Sequence, residues 1–297
     1  MWNCAGSVTY AAAVSSGLKK RSCLVTAAGS EEDLSYLQDL DLHVVPSDKT
    51  LTFEHSYTWF GNQRQLRVTG KPNVKLSASH VPWHCRVARM VLLGPLVKDD
   101  VDVASFTKPD TWGWRAVSHL QHIGLMGQGQ QRELGAKGAV QHLSSPSEEL
   151  KASLTPDVHL FLSDVETDIW PAAEREDVVS QVRSLVVTRG GKGVSIHQDQ
   201  HETLHIPAVP ISPVDTNGAG DTFATTFMIG VFEGMSVEQA GKSATWAASR
   251  VCLQPQSCKP LCCSEAVQEQ DHRDQQPQPS TLKPSYFRLE TLEYLDA

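Results

Sequence analysis

No apolar run in this sequence approaches the ~20 residues that a bilayer-crossing helix needs; the longest, Met90 to Val97, is far shorter. Basic residues are not clustered either. No Lys/Arg run exceeds Lys19-Lys20-Arg21, and the net charge is -8. Nucleic acid and an anionic membrane surface are therefore not expected partners. The Gly-x-x-x-x-Gly-Lys-Ser/Thr string of a P-loop is absent, which excludes that kinase class. The 12 His residues form no His-x-x-Glu-type pair, so hydrolytic metal chemistry has no support. Seven Cys, an odd number, show no regular spacing. Cys258, Cys262 and Cys263 lie in a Pro/Gln-rich stretch and lack the paired spacing of a zinc site. With no secretory signal pattern, the expectation is free thiols in a reducing, cytoplasmic setting. No internal repeat is present.

What remains is an ordinary globular composition. The 297 residues are 40% hydrophobic and 20% charged, enough for one α/β domain or two small ones. An Ala-rich helix runs from Gly6 to Gly17, a strand over Ser22–Ala27, a helix over Glu31–Leu40 with Ser30 as N-cap, and a strand over Leu42–Val45. This alternation predicts a mostly parallel sheet covered by helices. A β-rich excursion, about residues 50–70, follows, its two runs joined across Gly61-Asn62 as a hairpin. Further strands are predicted at Val87–Leu93, Ile123–Met126, Val158–Leu162, Val182–Thr188 and Val194–His197, with a short helix near Asp99–Phe106. Thr107 to His119 has no clear period. An Ala-rich helix spans Val237–Val251. Beyond it, residues 256–297 read as a Gln/Pro-rich disordered tail with one short helical pattern, Tyr286 to Leu295.

The most informative string is Asp215-Thr216-Asn217-Gly218-Ala219-Gly220-Asp221-Thr222-Phe223. It follows the extended stretch Leu204–Val209 and opens a helical pattern at Phe223, Phe227, Ile229 and Val231. Glycines at a helix N-terminus let free N–H groups reach an anion, with the positive end of the helix dipole behind them. A carboxylate, Asp221, in an anion-attracting turn makes sense if it must take a proton while the amides hold a transferring phosphoryl group. The plainer reading is a Gly-rich turn whose Asp caps the helix.

This string resembles the C-terminal signature of the ribokinase-like (PfkB) carbohydrate kinases, Asp-Thr-x-Gly-Ala-Gly-Asp. The resemblance implies an α/β, ribokinase-like fold: a mostly parallel central sheet, helices on both faces and a small β lid. Residues 1–255 would be the kinase domain and about 50–70 the lid, although an ordinary edge hairpin satisfies the same spacing. It implies Asp221 as catalytic base and Gly218, Ala219 and Gly220 as the anion hole, with Thr216 and Asn217 beside the nucleotide. Val186-Val187-Thr188-Arg189-Gly190-Gly191-Lys192-Gly193 is similar to the family's nucleotide motif, so Thr188, Gly190 and Gly193 are expected near the ATP phosphates; as a hairpin turn it needs no function. Ser163-Asp164-Val165-Glu166 stands where the family has Asn-x-x-Glu, which implies a Mg²⁺-organising role for Glu166. The same four residues make an equally good capping box. Asp215 implies a monovalent-cation (K⁺) site completed near Ser249–Cys252, where Cys252 replaces the usual Gly. The phrases Val91–Leu96 and Phe161–Glu166 look closer to plant-type inositol kinase-like members.

The implied activity is transfer of phosphate from ATP, with Mg²⁺, to a hydroxyl of a small polyol or sugar. A nucleoside kinase, or a nucleotide-binding remnant with a regulatory or interaction role, stands as the alternative. The family's opening strand and substrate-binding Asp have no counterpart ahead of Ala5–Tyr10, which resembles the segment after them. Without an inner strand the sheet is expected to carry a gap and unpaired ladder groups.

Overall fold

The computed structural model describes residues 7–57, 64–86, 88–108 and 122–254. Helix α1 (Ser7–Gly17) leads into a parallel pair, β1 (Cys23–Ala28) and β2 (Asp41–Pro46). The antiparallel hairpin β3 (Thr52–Tyr57) and β4 (Arg64–Gly70) comes next, then β5 (Met90–Leu93), the one-turn α2 (Ala104–Thr107) and β6 (His122–Met126). A second hairpin, β7 (Arg132–Leu134) and β8 (Val140–His142), precedes α3 (Glu148–Lys151), β9 (Val158–Ser163), α4 (Asp164–Thr167) and α5 (Ala172–Gln181). The chain continues through β10 (Ser184–Thr188), β11 (Val194–His197) and β12 (Leu204–Ile206) to α6 (Ala219–Phe232) and α7 (Val237–Cys252).

The main sheet has six strands in the order β12-β11-β10-β9-β6-β5. Its four strands β5, β6, β9 and β10 are parallel, and β11 and β12 are antiparallel additions. The alternation of side chains along β9 and β10 sorts them onto two cores. Leu160, Leu162, Leu185 and Val187 point to one face, packed with Leu150 of α3, Val178 of α5 and Trp170 just before α5. Phe161 and Val186 point to the other, against Phe223, Phe227 and Met228 of α6 and Ala244 of α7. Phe227 and Leu160 are fully buried, each contributing about 1.5–3 kcal/mol through removal of its side chain from water. The mostly parallel sheet with helices on both faces is as expected, including each predicted strand from Ile123 onward.

The front of the chain is where local reading fails. No helix forms over residues 31–40; only a 3₁₀ turn, Ser35–Leu37, is present. The Asp33 carboxylate accepts from the Ser35 N–H at 3.0 Å, and Glu31 Oε1 accepts from the Thr50 N–H at 3.1 Å. These side chains serve turn and loop amides, a local competition that draws acidic and hydroxyl residues away from helix. The β3–β4 hairpin forms as expected, and an Arg67–Ala139 bridge joins it to the β7–β8 hairpin that sequence reading missed. Gly61 and Asn62, the proposed turn, lie outside the described residues, as does the tail beyond Gln254.

The sheet is divided. Among the described residues β1 pairs only with β2, and β5 only with β6. A cavity of about 1610 Å³ lies between these two edges, lined by Val25 and Thr26 on one side and Val91 and Leu93 on the other. It extends to Ser7 and Asn217.

Asp100 also lines this cavity. Its Oδ2 accepts from the Leu96 and Val97 N–H groups at 2.8 and 3.3 Å, while Oδ1 is buried without a partner. The residue keeps some surface, but its carboxyl is desolvated, and burial raises its pKa to about 6 despite those two hydrogen bonds. A folded pKa above the unfolded one means the folded chain binds the proton more tightly. That stability is full below the unfolded carboxylate range and is lost as pH rises through about 6. Asp100→Asn is therefore expected to gain stability over wild type on going from pH 4 to pH 7, by up to about 3 kcal/mol. Urea melts of both chains across that range test this, and a constant difference would refute it. The comparison must be pairwise because His159, held neutral by burial with its pKa lowered to about 3, gives wild type an opposite slope.

Cys23 and Cys85, 62 residues apart, are joined as a disulfide across β1 and the 3₁₀ turn Trp83–Cys85. This corrects the expectation of free thiols throughout. Cys252 is buried.

Candidate active site

The C-terminal ends of β5, β6, β9 and β10 form one edge of the main sheet, where ligands of open α/β sheets bind. Gly94 follows β5 and sits against Ser7 at the start of α1 and Met126 at the end of β6. Ser163 ends β9 and pairs in register with Thr188 at the end of β10. Helix α6 packs over β6 and β9, its Phe223 and Phe227 rings contacting Phe161 at 6.4 and 5.5 Å. The start of α1 and the signature turn that opens α6 therefore meet at this edge.

The turn is built around Gly218. Its φ of 76° and ψ of -2° are left-handed, and it is the N-cap of α6. A Cβ at this position would overlap the ring of Tyr10 on α1, so two independent constraints demand glycine. Asp215 Oδ1 accepts from the Asn217 N–H at 2.9 Å, closing the preceding turn. Among the described residues the Gly218 and Gly220 N–H groups take no partner, whereas Ala219 N–H reaches Thr216 O at 3.3 Å. Gly220 stands in contrast to Gly218: its φ is not positive, and a Cβ there meets nothing within 4 Å. It is exposed in the first turn of α6, so its lack of a side chain leaves space rather than relieving strain.

Asp221 points inward from that turn. The residue retains partial surface, but Oδ1 is buried with no hydrogen-bond partner. Burial raises its pKa, opposed by Ser7, by its own N–H and by the charge of Arg132. Ser7 Oγ is itself buried without a fully formed hydrogen bond, so it stabilises the charge by proximity rather than by an ideal contact. Neither Ser7 nor Arg132 was legible as a site residue. Arg132 begins β7, donates to Leu96 O at 2.8 Å and Gln128 Oε1 at 2.9 Å, and carries its guanidinium 5.8 Å from the Phe53 ring of the first hairpin.

Thr188 ends β10, and Gly190 and Gly193 lie in the tight turn between β10 and β11. Arg189 N–H donates to Gly193 O at 2.8 Å and Gly193 N–H to Gly190 O at 3.0 Å. Gly193 has a φ of 95°, and a Cβ there would overlap Ile206 O of β12. Arg189 is anchored outward by Asp168 at 3.0 Å.

Glu166 is buried, and its Oε2 accepts from both Ser163 N–H at 2.7 Å and Ser163 Oγ at 2.9 Å. That is the capping box. Oε1 takes no partner among the described residues, so the carboxylate retains one oxygen for a hydrated Mg²⁺. The cation reading of Asp215 and Cys252 fits less well. Cys252 O already accepts from Val214 and Asp215 N–H at 2.8 and 3.3 Å, which occupies both lone pairs of a carbonyl that K⁺ would need.

With this geometry in place, comparison with known proteins is informative. Residues 137–262 match the pfkB family carbohydrate kinase pattern. The chain is 45% identical over 65 residues to ribokinase of Bacillus subtilis (strain 168), a stretch covering 22% of each. It is 36% identical over 83 residues to ribokinase of Lactococcus lactis subsp. lactis (strain IL1403), 27% of each. These alignments span about a quarter of the relatives' length. In fold, the chain is similar to a pyrophosphate-dependent kinase in the ribokinase family complexed with a pyrophosphate analogue and myo-inositol, with a TM-score of 0.66, 17% identity and coverage of 84% of this chain and 87% of that one. The corresponding values for Arabidopsis thaliana ribokinase complexed with ribose and ATP are 0.61, 18%, 89% and 86%. The architecture is thus ribokinase-like. The match to the pfkB family of carbohydrate kinases covers residues 137–262, the part of the chain that holds the signature turn.

Proposed function

We propose that this chain transfers a phosphoryl group to a hydroxyl of a small polyol or sugar, with Asp221 as the general base. The observation that carries the proposal is the buried, unpartnered Asp221 Oδ1 beside the unpaired Gly218 and Gly220 amides, at a site adjoining a cavity of about 1610 Å³. The acceptor hydroxyl loses its proton to Asp221 as its oxygen bonds to phosphorus, and the bond to the departing diphosphate breaks. The helix N-terminus holds the equatorial charge. Thr188 and the turn ending at Gly193 are assigned to the donor's phosphates, with Thr216 and Asn217 beside them. Glu166, with Oε2 in the cap, would help hold Mg²⁺, which when bound would supply positive charge against the phosphate oxygens. The two hairpins, tied by Arg67–Ala139, are assigned as the lid.

ATP is the proposed donor on the resemblance of the Val186–Gly193 segment. Because one structural relative is described as pyrophosphate-dependent, the deciding assay crosses ATP and pyrophosphate with polyols, sugars and nucleosides and follows product release. Turnover with any polyol or sugar supports the proposal. Nucleoside turnover alone would overturn the substrate class. The divided sheet beside the site favours one other reading, a chain that binds nucleotide without turnover. Saturable ATP binding by calorimetry with no turnover on the whole panel would select it.

A further inference from the structure

A second constellation of reactive side chains lies away from the signature turn, on the small β1–β2 sheet. Cys23 opens β1 and pairs in parallel register with Asp41, the first residue of β2. His43, two residues along the same strand, shares the face that carries Asp41, because side chains alternate along a strand. The 3₁₀ turn Trp83–Cys85 closes over this face and brings Cys85 Sγ within bonding reach of Cys23 and 3.5 Å from Asp41 Oδ2. One ligand atom each from Cys23, Asp41, His43 and Cys85 lie within 4.8 Å of one another.

Asp41 has one oxygen 2.7 Å from His43 Nε2 and the other 3.2 Å from His84 Nε2, and the two imidazoles lie 5.4 Å apart. The set thus has two sulfurs, imidazole nitrogen and carboxylate oxygen. A tetrahedral ion with bonds of about 2.0–2.3 Å separates its ligands by roughly 3.3–3.8 Å, inside the observed envelope. Thiolate with imidazole is the donor set of Zn²⁺, and not of a hard ion such as Mg²⁺. Cys23 and Cys85 also line the cavity between β1 and β5, which provides access for the ion.

We infer that, with the Cys23–Cys85 pair reduced, Cys23, Cys85, His43 and Asp41 form a Zn²⁺-class metal site. The two thiols release their protons on binding, and the metal takes the place of the disulfide in tying the Trp83–Cys85 turn to the β1–β2 sheet. Reduction to the dithiol requires an external phosphine or dithiol reductant. In this assignment His84 stays outside the coordination shell and orients Asp41, as hydrogen-bonded second partners do at metal sites. The cluster sits on a two-stranded sheet that, among the described residues, has no strand pairing with the main sheet.

The test uses the full chain with Cys258, Cys262 and Cys263 changed to Ser, so that tail thiols contribute nothing. Reduced with a phosphine, stripped with a chelator and titrated anaerobically with Co²⁺, it should show one equivalent with a thiolate-to-cobalt charge-transfer band and tetrahedral visible bands. Zn²⁺ should displace them. Cys23→Ser and His43→Ala should each weaken Co²⁺ binding by more than about 10–100-fold, the loss usual for outer-shell partners. Cys252→Ser should leave the spectrum unchanged. Because His43 is only half-buried, His43→Ala is the variant expected to keep its fold, checked by circular dichroism. Three results would each overturn the inference: no thiolate band, a band that survives Cys23→Ser, or a disulfide that forms and breaks with no metal bound to the reduced chain.

Discussion

Asp221→Asn is expected to lower kcat by about 10²–10⁴, the usual contribution of a positioned general base, while donor affinity stays nearly unchanged. The substitution preserves shape in a buried site and removes only the ability to take a proton. It should also cost no stability, because the wild-type carboxylate is desolvated with Oδ1 unpartnered. The pH profile provides a second readout. With burial raising the pKa of Asp221, the acid limb of kcat/KM should lie above the ordinary carboxylate range, since the base must be ionised. Ser7→Ala should move that limb higher still, because Ser7 favours the charged form. A variant at position 221 that keeps wild-type turnover on a true substrate would remove Asp221 from the mechanism.

Gly218→Ala should be the most damaging small substitution in the signature. A left-handed φ costs a residue with a Cβ about 1–2 kcal/mol, and the overlap with Tyr10 adds about 1–3 kcal/mol of overpacking. A total near 3 kcal/mol is a large part of the 5–15 kcal/mol that holds a domain together. It should lower Tm by roughly 6–12 °C in a chain of this size. Gly220→Ala provides the contrast. It sits in helix with open space around its Cβ, so stability should hold or rise slightly, while donor affinity falls because the methyl occupies the space beside the amides. Thermal melts and donor titrations of both variants separate the two roles. Equal melting temperatures would contradict the Tyr10 contact, and unchanged donor affinity in Gly220→Ala would argue against a phosphate at that turn.

The contrast between these glycines shows where sequence reading stopped. Both stand in one motif and look equivalent on the page. Which one is conformationally required depends on α1, more than two hundred residues earlier, whose Tyr10 ring packs against Gly218. The capping-box and cation-binding readings of Glu166 were indistinguishable in sequence because both need a carboxylate three residues after Ser163. The folded chain spends one oxygen on the cap and leaves the other available.

The signature turn, the extended stretch before it, the helix after it and the fold class were determined by the sequence alone. Their information is local: continuous apolar runs along β9 and β10, glycines at a strand-to-helix turn, and a helical period after it. The environment of Asp221 was decided only by tertiary structure. Ser7 and Arg132 reach it from distant segments, and its raised pKa comes from desolvation, which no neighbour in sequence encodes. The same holds for residues 31–40, where Thr50 takes the Glu31 carboxylate from a helix that local propensity favoured. It holds too for Cys23 and Cys85, 62 residues apart. Contacts of that range leave no spacing to read, because chain closure over such distances is set by the whole packing arrangement rather than by any local periodicity.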